Sequence, residues 1–155
     1  YAEVLLNYAE AMYELGTTGK ALDDALNISL NLVRLRVNPD MPKLTTSFVS
    51  ENNLNMREEI RRERTIELYN EGFRIDDLKR WNTAIVEMPK PILGVKWTGT
   101  DFATSWPGAS NMAKDSDGCL ILENSRRWGT KNDLYPLPVD QCQLNPNLGQ
   151  NPGWQ

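Results

Sequence analysis

Three groups of side chains in this sequence have types and spacings that chemistry can use. The first is an arginine–carboxylate run: Arg57, Glu58, Glu59, Arg61, Arg62, Glu63, Arg64, Glu67 and Glu71, continued by Arg74, Asp76, Asp77 and Arg80. The second is aromatic: Trp97, Phe102, Trp106 and Trp128, with Asp101 and Asn111 close by. The third is the acidic turn Asp115-Ser-Asp117-Gly118. Glycoside hydrolysis needs two carboxyls held roughly 5–9 Å apart. Asp76 and Asp77 are adjacent, so on a helix they point about 100° apart. Glu63 and Glu67 are close enough, but arginines surround them, which lowers carboxyl pKa values and makes a poor general acid. The acidic turn lacks the first acidic position and the closing bidentate glutamate of a calcium loop. The aromatic group is the best ligand-binding candidate. An indole ring offers a flat, polarizable platform to the apolar face of a sugar. Trp97 and Trp106, with Asp101 beside them, are therefore the candidate ligand-binding residues. The competing reading is that these tryptophans anchor a long loop to the helices.

What is missing narrows the field further. The chain has no histidine, which removes Ser-His-Asp and Cys-His nucleophiles, histidine zinc sites and histidine acid–base work. It has no glycine-rich phosphate loop, no Gly-x-Ser-x-Gly and no Cys-x-x-Cys. No catalytic residue, metal or cofactor is indicated. The net charge of −4 argues against a nucleic-acid surface. Hydrophobic residues at 40% and charged residues at 25% are ordinary for a globular chain. Cys119 and Cys142 either form one disulfide or stay as half-buried thiols.

Positioning these groups falls to a chain that changes character near residue 88. Charged residues concentrate before it, and glycine and proline after it. The spacing predicts a helix over 1–15, with Leu5, Tyr8, Met12 and Leu15 as its apolar stripe and Gly16 as its stop. A second helix over 20–36 buries Leu22, Ala25, Leu26, Ser29 and Val33, and Pro39 and Pro42 prevent its continuation. Together, 1–36 form a hairpin resembling a tetratricopeptide unit, which needs neighbours to bury its faces. Residues 54–88 form a charged helix pair, 54–71 capped by Asn53 and stopped by Gly72, then 74–86. In the first of these, Glu63, Glu67 and Glu71 stack like charges on one line. Arg61, Arg64, Arg74 and Arg80, with Asp77, then belong to a partly buried ion network that offsets them. The alternative is a solvated face whose helix pairs contribute a few tenths of a kcal/mol each. Residues 89–134 lack sustained periodicity and read as irregular loop, with one short strand at 119–123. The tail, 135–155, is extended and proline-rich.

Several segments taken in order resemble the SusD/RagB family. They are Tyr1-Ala-Glu-Val-Leu-Leu-Asn-Tyr-Ala-Glu-Ala11, Ala25 through Val33-Arg-Leu-Arg36, Arg61-Arg-Glu-Arg64 with Glu67-Leu68, and Glu71-Gly-Phe-Arg74. Asp77-Leu-Lys-Arg-Trp81, Tyr135-Pro-Leu-Pro138 and Asn145-Pro-Asn-Leu-Gly-Gln-Asn-Pro-Gly153 complete the series. Only 37–53 and 92–131 fall outside it. The resemblance implies a mainly α fold: tetratricopeptide-like hairpins and a long charged helix pair, followed by long irregular loops and an extended tail. It implies a binding protein, not an enzyme, lipid-anchored on the extracellular face of the outer membrane. It implies oligosaccharide or polysaccharide ligands handed to a SusC-like TonB-dependent transporter. This chain is expected to be the C-terminal portion of such a protein, completed by chain upstream. A tetratricopeptide-like protein-interaction module without a glycan site is the rival reading, and a glycan-processing enzyme is a second.

Overall fold

The computed structural model describes residues 1–154. It is mainly helical, and the chain divides into two units, Tyr1–Arg74 and the residues from Ile75 onward.

In the first unit, α1 spans Ala2–Glu14, a run rich in Ala, Leu, Glu and Met that favours helix. Gly16 ends it in the left-handed region (φ 82°), letting the Gly16 and Thr17 amides donate to the Tyr13 and Met12 carbonyls at 3.0 and 3.2 Å. The buried face is Leu6 and Ala9, with Ala2, Leu5 and Tyr13 packed partly against the core. The expected stripe is therefore rotated: Tyr8 is 42% exposed and Leu15 80%. The helix is apolar on two sides, so periodicity alone does not choose between them. The expected second helix is two helices, α2 (Gly19–Asn27) and α3 (Leu30–Val37). The break falls at Ser29, whose hydroxyl donates to the Ala25 carbonyl at 2.6 Å, a local bond that competes with regular helix. The inward residues Leu22, Ala25, Leu26, Ser29 and Val33 are all buried as expected.

A short helix that the sequence reading left out, α4, spans Thr46–Glu51. The Thr45 hydroxyl caps it by accepting from the Phe48 amide at 3.1 Å. Asp23 accepts from the Thr46 amide and hydroxyl at 2.7 and 2.9 Å. The long charged helix is α5, Met56–Glu67. Its cap is Asn55, accepting from the Glu58 amide at 3.2 Å. Asn53, the expected cap, sits two residues earlier with φ 53°. Because α5 stops at Glu67, Glu71 lies beyond the helix, and the three-glutamate line does not form. The core joins Leu6, Ala9, Leu22, Leu26, Leu30, Val33, Leu44, Met56, Ile60 and Leu68.

The second unit takes up α6, Arg74–Arg80, whose first residue belongs to the unit before. Asn82 (φ 56°) breaks the expected 74–86 helix: the Asn82 and Thr83 amides donate to the Lys79 and Leu78 carbonyls, both at 2.9 Å, a helix end that asparagine tolerates. The chain resumes as α7, Ala84–Glu87. The expected strand is present as β2, Cys119–Glu123, and it has an unexpected partner, β1 (Ile92–Lys96). They pair antiparallel, Leu93 opposite Ile121 and Lys96 opposite Cys119, with irregular register between. At the closing end the Trp97 and Thr98 amides both donate to the Gly118 carbonyl, at 2.8 and 3.1 Å. Gly118 has φ 82°, and a Cβ there would lie 2.5 Å from the Thr98 Cβ, so the bend requires glycine. The β1–β2 connection carries α8 (Phe102–Ser105) and a 3₁₀ turn at Pro107–Asn111.

The tail is turn-rich but includes a helical segment, α9 (Val139–Leu144). Side chains tie it down. Gln150 accepts from the Leu137 amide at 2.7 Å and donates to the Leu137 carbonyl at 2.8 Å. The Trp154 indole donates to the Lys131 and Leu134 carbonyls at 2.7 and 3.0 Å. Cys119 and Cys142 are free thiols. Among the described residues no helix is long and apolar enough to cross a membrane.

Candidate functional site

The aromatic site is built on α8. The Ser105 and Trp106 amides donate to the Asp101 and Phe102 carbonyls, both at 2.9 Å, making one helical turn. That turn puts Phe102 and Trp106 four residues apart on the same side. Their rings stack, centroids 5.2 Å apart and planes 9° apart. Pro107 follows Trp106 and disfavours helical backbone there, so the turn ends with the indole outward, 60% exposed. Thr100, Asp101, Phe102, Ser105 and Trp106 line a hollow of about 410 Å³. Of the sequence candidates, Asp101 and Trp106 meet in this hollow. Trp97 stands behind it: its indole N–H donates to the Trp106 carbonyl at 3.3 Å. Phe102 was counted in the aromatic group but not as a candidate, and Thr100, Ser105 and Lys114 were not singled out. Phe102 was visible as the other half of a four-residue aromatic spacing. Lys114 left no local signal. Its ammonium sits 4.5 Å from the Trp97 ring centroid and donates to the Ala109, Ser110 and Met112 carbonyls at 3.4, 2.8 and 2.8 Å. A cation held by three carbonyls and an indole face fixes the wall behind the hollow.

The acidic turn is occupied by the fold itself. Asp115 accepts from the Asp117 and Cys119 amides at 3.0 and 2.8 Å, an aspartate turn that closes the bend into β2. Among the described residues no group of three or more His, Cys, Asp or Glu is placed to hold a metal.

The charged residues take up positions that differ from the expected pattern in a consistent way. Glu63 is buried and pairs with Arg34 of α3 at 3.3 Å. Glu67 accepts two bonds from Arg36, also on α3, at 2.8 and 3.0 Å. Arg64 is buried, donates to Asn7 at 2.7 Å, and lies 5.6 Å from the Phe73 ring centroid. Arg61 comes within 3.8 Å of Glu58. Arg74 donates to the Thr65 hydroxyl at 2.8 Å. Asp77 is buried and accepts from Arg80 at 2.8 Å, three positions on. Glu71 is exposed and borders a second hollow of about 410 Å³ with Tyr1, Leu5, Leu32, Arg36 and Glu67. Arg34 and Arg36, the partners of Glu63 and Glu67, were not in the expected network.

One electrostatic expectation is reversed. The carboxyl of Glu63 is raised above the ordinary glutamate range: burial dominates, Arg34 and Arg62 oppose it, and Glu67 adds to it. Burial penalises the charged form more than the arginines favour it. The folded chain therefore binds this proton more tightly than the unfolded chain. Its contribution to stability is complete below the ordinary glutamate value and is lost as pH rises through the raised one. Urea midpoints between pH 4 and pH 7 are expected to fall less with pH in Glu63→Gln than in the parent chain. A steeper fall in the variant counts against the assignment.

The described chain is thus mainly helical, with one two-stranded sheet whose connection carries an exposed aromatic hollow. The chain belongs to the SusD family, whose model matches residues 1–154. Two solved structures give the same answer. A SusD-like carbohydrate binding protein from Bacteroides fragilis is 30% identical, with a TM-score of 0.70, over 96% of this chain and 28% of its own. A second SusD-like protein from Bacteroides fragilis is 29% identical, with a TM-score of 0.66, over 99% of this chain and 25% of its own. The chain thus spans about a quarter of the length of these relatives. No curated protein matches it.

Proposed function

We propose that this chain is part of a cell-surface glycan-binding protein that hands oligosaccharide or polysaccharide to a SusC-like TonB-dependent transporter in the outer membrane. The protein binds and does not catalyse. The observation that carries the reading is family membership over residues 1–154, together with the likeness to a carbohydrate binding protein at 30% identity. The local support is the hollow beside Trp106. Its exposed indole suits the apolar face of a pyranose, and Asp101 and Ser105 stand at its edge to meet hydroxyl groups. The fold around the glutamates fits binding better than turnover, since Glu63 and Glu67 are each held by an arginine.

The rest of the protein's own chain is the second partner in this proposal. Val4 and Tyr8 on α1 and Leu15 at its end are exposed at 63%, 42% and 80%, and we place further helical chain of the same protein on them. Lipid anchoring at the extracellular face of the outer membrane belongs to the same reading.

Affinity electrophoresis of the full-length protein through a panel of polysaccharides tests it. Trp106→Ala is expected to weaken retention about five- to tenfold, the scale of one lost aromatic platform. Retention unchanged by the substitution removes the hollow from the binding site. Failure to bind any glycan, with tight binding to a protein partner, favours a protein-interaction module instead.

A further inference from the structure

We infer that the Trp106 hollow selects neutral or amine-bearing saccharides and rejects acidic ones, with Asp101 as the residue that decides. The inference rests on the glycan-binding reading above and adds the charge class of the ligand.

Of the five residues lining the hollow, Asp101 is the one that carries a charge, and Lys or Arg is not among them. Asp101 is exposed, and among the described residues its carboxylate takes part in no side-chain hydrogen bond or ion pair. It is therefore available to a ligand. Thr100 is not, because its hydroxyl lies 2.9 and 3.1 Å from the Lys96 and Trp97 carbonyls and is spent on them. The cation that the surrounding structure fixes is Lys114. Its ammonium is already bound by the carbonyls of residues 109, 110 and 112 and rests on the Trp97 ring. Trp97 is not in the lining, so this charge is turned to the scaffold behind the hollow.

A ligand stacked on Trp106 thus meets one carboxylate and one serine hydroxyl. An ionised carboxylate only accepts hydrogen bonds. Sugar hydroxyls can donate to it, and a protonated amino sugar adds a charge-assisted bond. The charged group of a uronate or sulfate in the same place has no proton to give and meets a like charge, with no Lys or Arg in the lining to offset it. Because the site is open to water the discrimination is modest, about fivefold for two charges near contact at the dielectric of water.

The experiment uses the full-length protein and a matched pair of ligands. The tightest neutral polysaccharide from the panel is compared with the same polymer after partial oxidation of its primary hydroxyls to carboxylates. Binding is measured by isothermal titration at 20 mM and 500 mM salt, for the parent protein and Asp101→Asn. The expected result is about fivefold weaker binding of the oxidised polymer at low salt, a gap that shrinks at high salt and closes in Asp101→Asn. Equal or tighter binding of the oxidised polymer by the parent protein overturns the inference. So does a gap that Asp101→Asn leaves intact, since another residue then sets it. If Trp106→Ala binds the neutral polymer as the parent does, the hollow is not the site, and the glycan reading of the hollow falls before the charge rule is reached.

Discussion

Arg34→Met should destabilise the chain by about 3–5 kcal/mol, the cost of leaving one member of a buried ion pair without its partner. The guanidinium side chain is 3% exposed and its Glu63 partner 11%, so solvent screening gives little relief. Removing the arginine leaves Glu63 in a site that already disfavours its charge. Arg34 also packs 5.9 Å from the Phe48 ring centroid, and methionine keeps part of that contact. The informative comparison is the double variant Arg34→Met/Glu63→Leu. Two apolar groups of similar volume avoid the desolvation penalty, so the double variant should recover most of the loss. Urea denaturation of the three variants against the parent measures the cycle. A double variant as unstable as Arg34→Met would mean that the arginine acts through packing and not through charge.

The second large effect belongs to Asn31. Its carboxamide accepts from the Leu44 amide at 2.8 Å and donates to the Leu44 carbonyl at 3.0 Å. Asn31 is 1% exposed and Leu44 is fully buried. One side chain thus satisfies both backbone groups of a residue thirteen positions away. Asn31→Ala orphans both, at roughly 1–3 kcal/mol each. Asn31→Asp keeps the acceptor for the Leu44 amide and loses the donor to its carbonyl. Hydrogen exchange separates the two cases: the Leu44 amide should lose protection sharply in Asn31→Ala and retain more of it in Asn31→Asp. Equal loss in both would show that the loop is held by packing of Leu44 alone.

These two residues mark where the sequence was legible and where it was not. Helix content, the inward residues of α2 and α3, the stop at Gly16 and the strand at 119–123 follow from short-range pattern. The partners of Glu63 and Glu67 lie 29 and 31 positions earlier, beyond any local spacing rule. The sequence indicated that the glutamates needed arginines, but it pointed to those within a turn or two, whereas α3 provides them. Ser29 and Asn82 broke helices that periodicity carried through, because a hydroxyl bonded back to a carbonyl and a left-handed asparagine leave the apolar pattern unchanged. β1 escaped notice because its residues are mostly exposed, with no buried alternate face to betray a strand. At the aromatic site the residue types were readable, and so was the Asp101–Trp106 proximity. The stacking of Phe102 on Trp106 and the support from Lys114 depend on how the β1–β2 connection folds back on itself.

The pairing of Gln150 with Leu137 has a structural corollary. A side-chain amide exchanging two bonds with one main-chain residue imitates a rung of a ladder without needing a second strand. The segment in between, 138–149, is fastened at its base and once more at Cys142, whose thiol donates to the Gly149 carbonyl at 3.2 Å. Loop-closure entropy grows only slowly with residues added to such a loop. Length changes there spare the clasp itself but alter the start of the Asn145–Gly153 run, so a peptide tag grafted there sits against residues that carry the family resemblance.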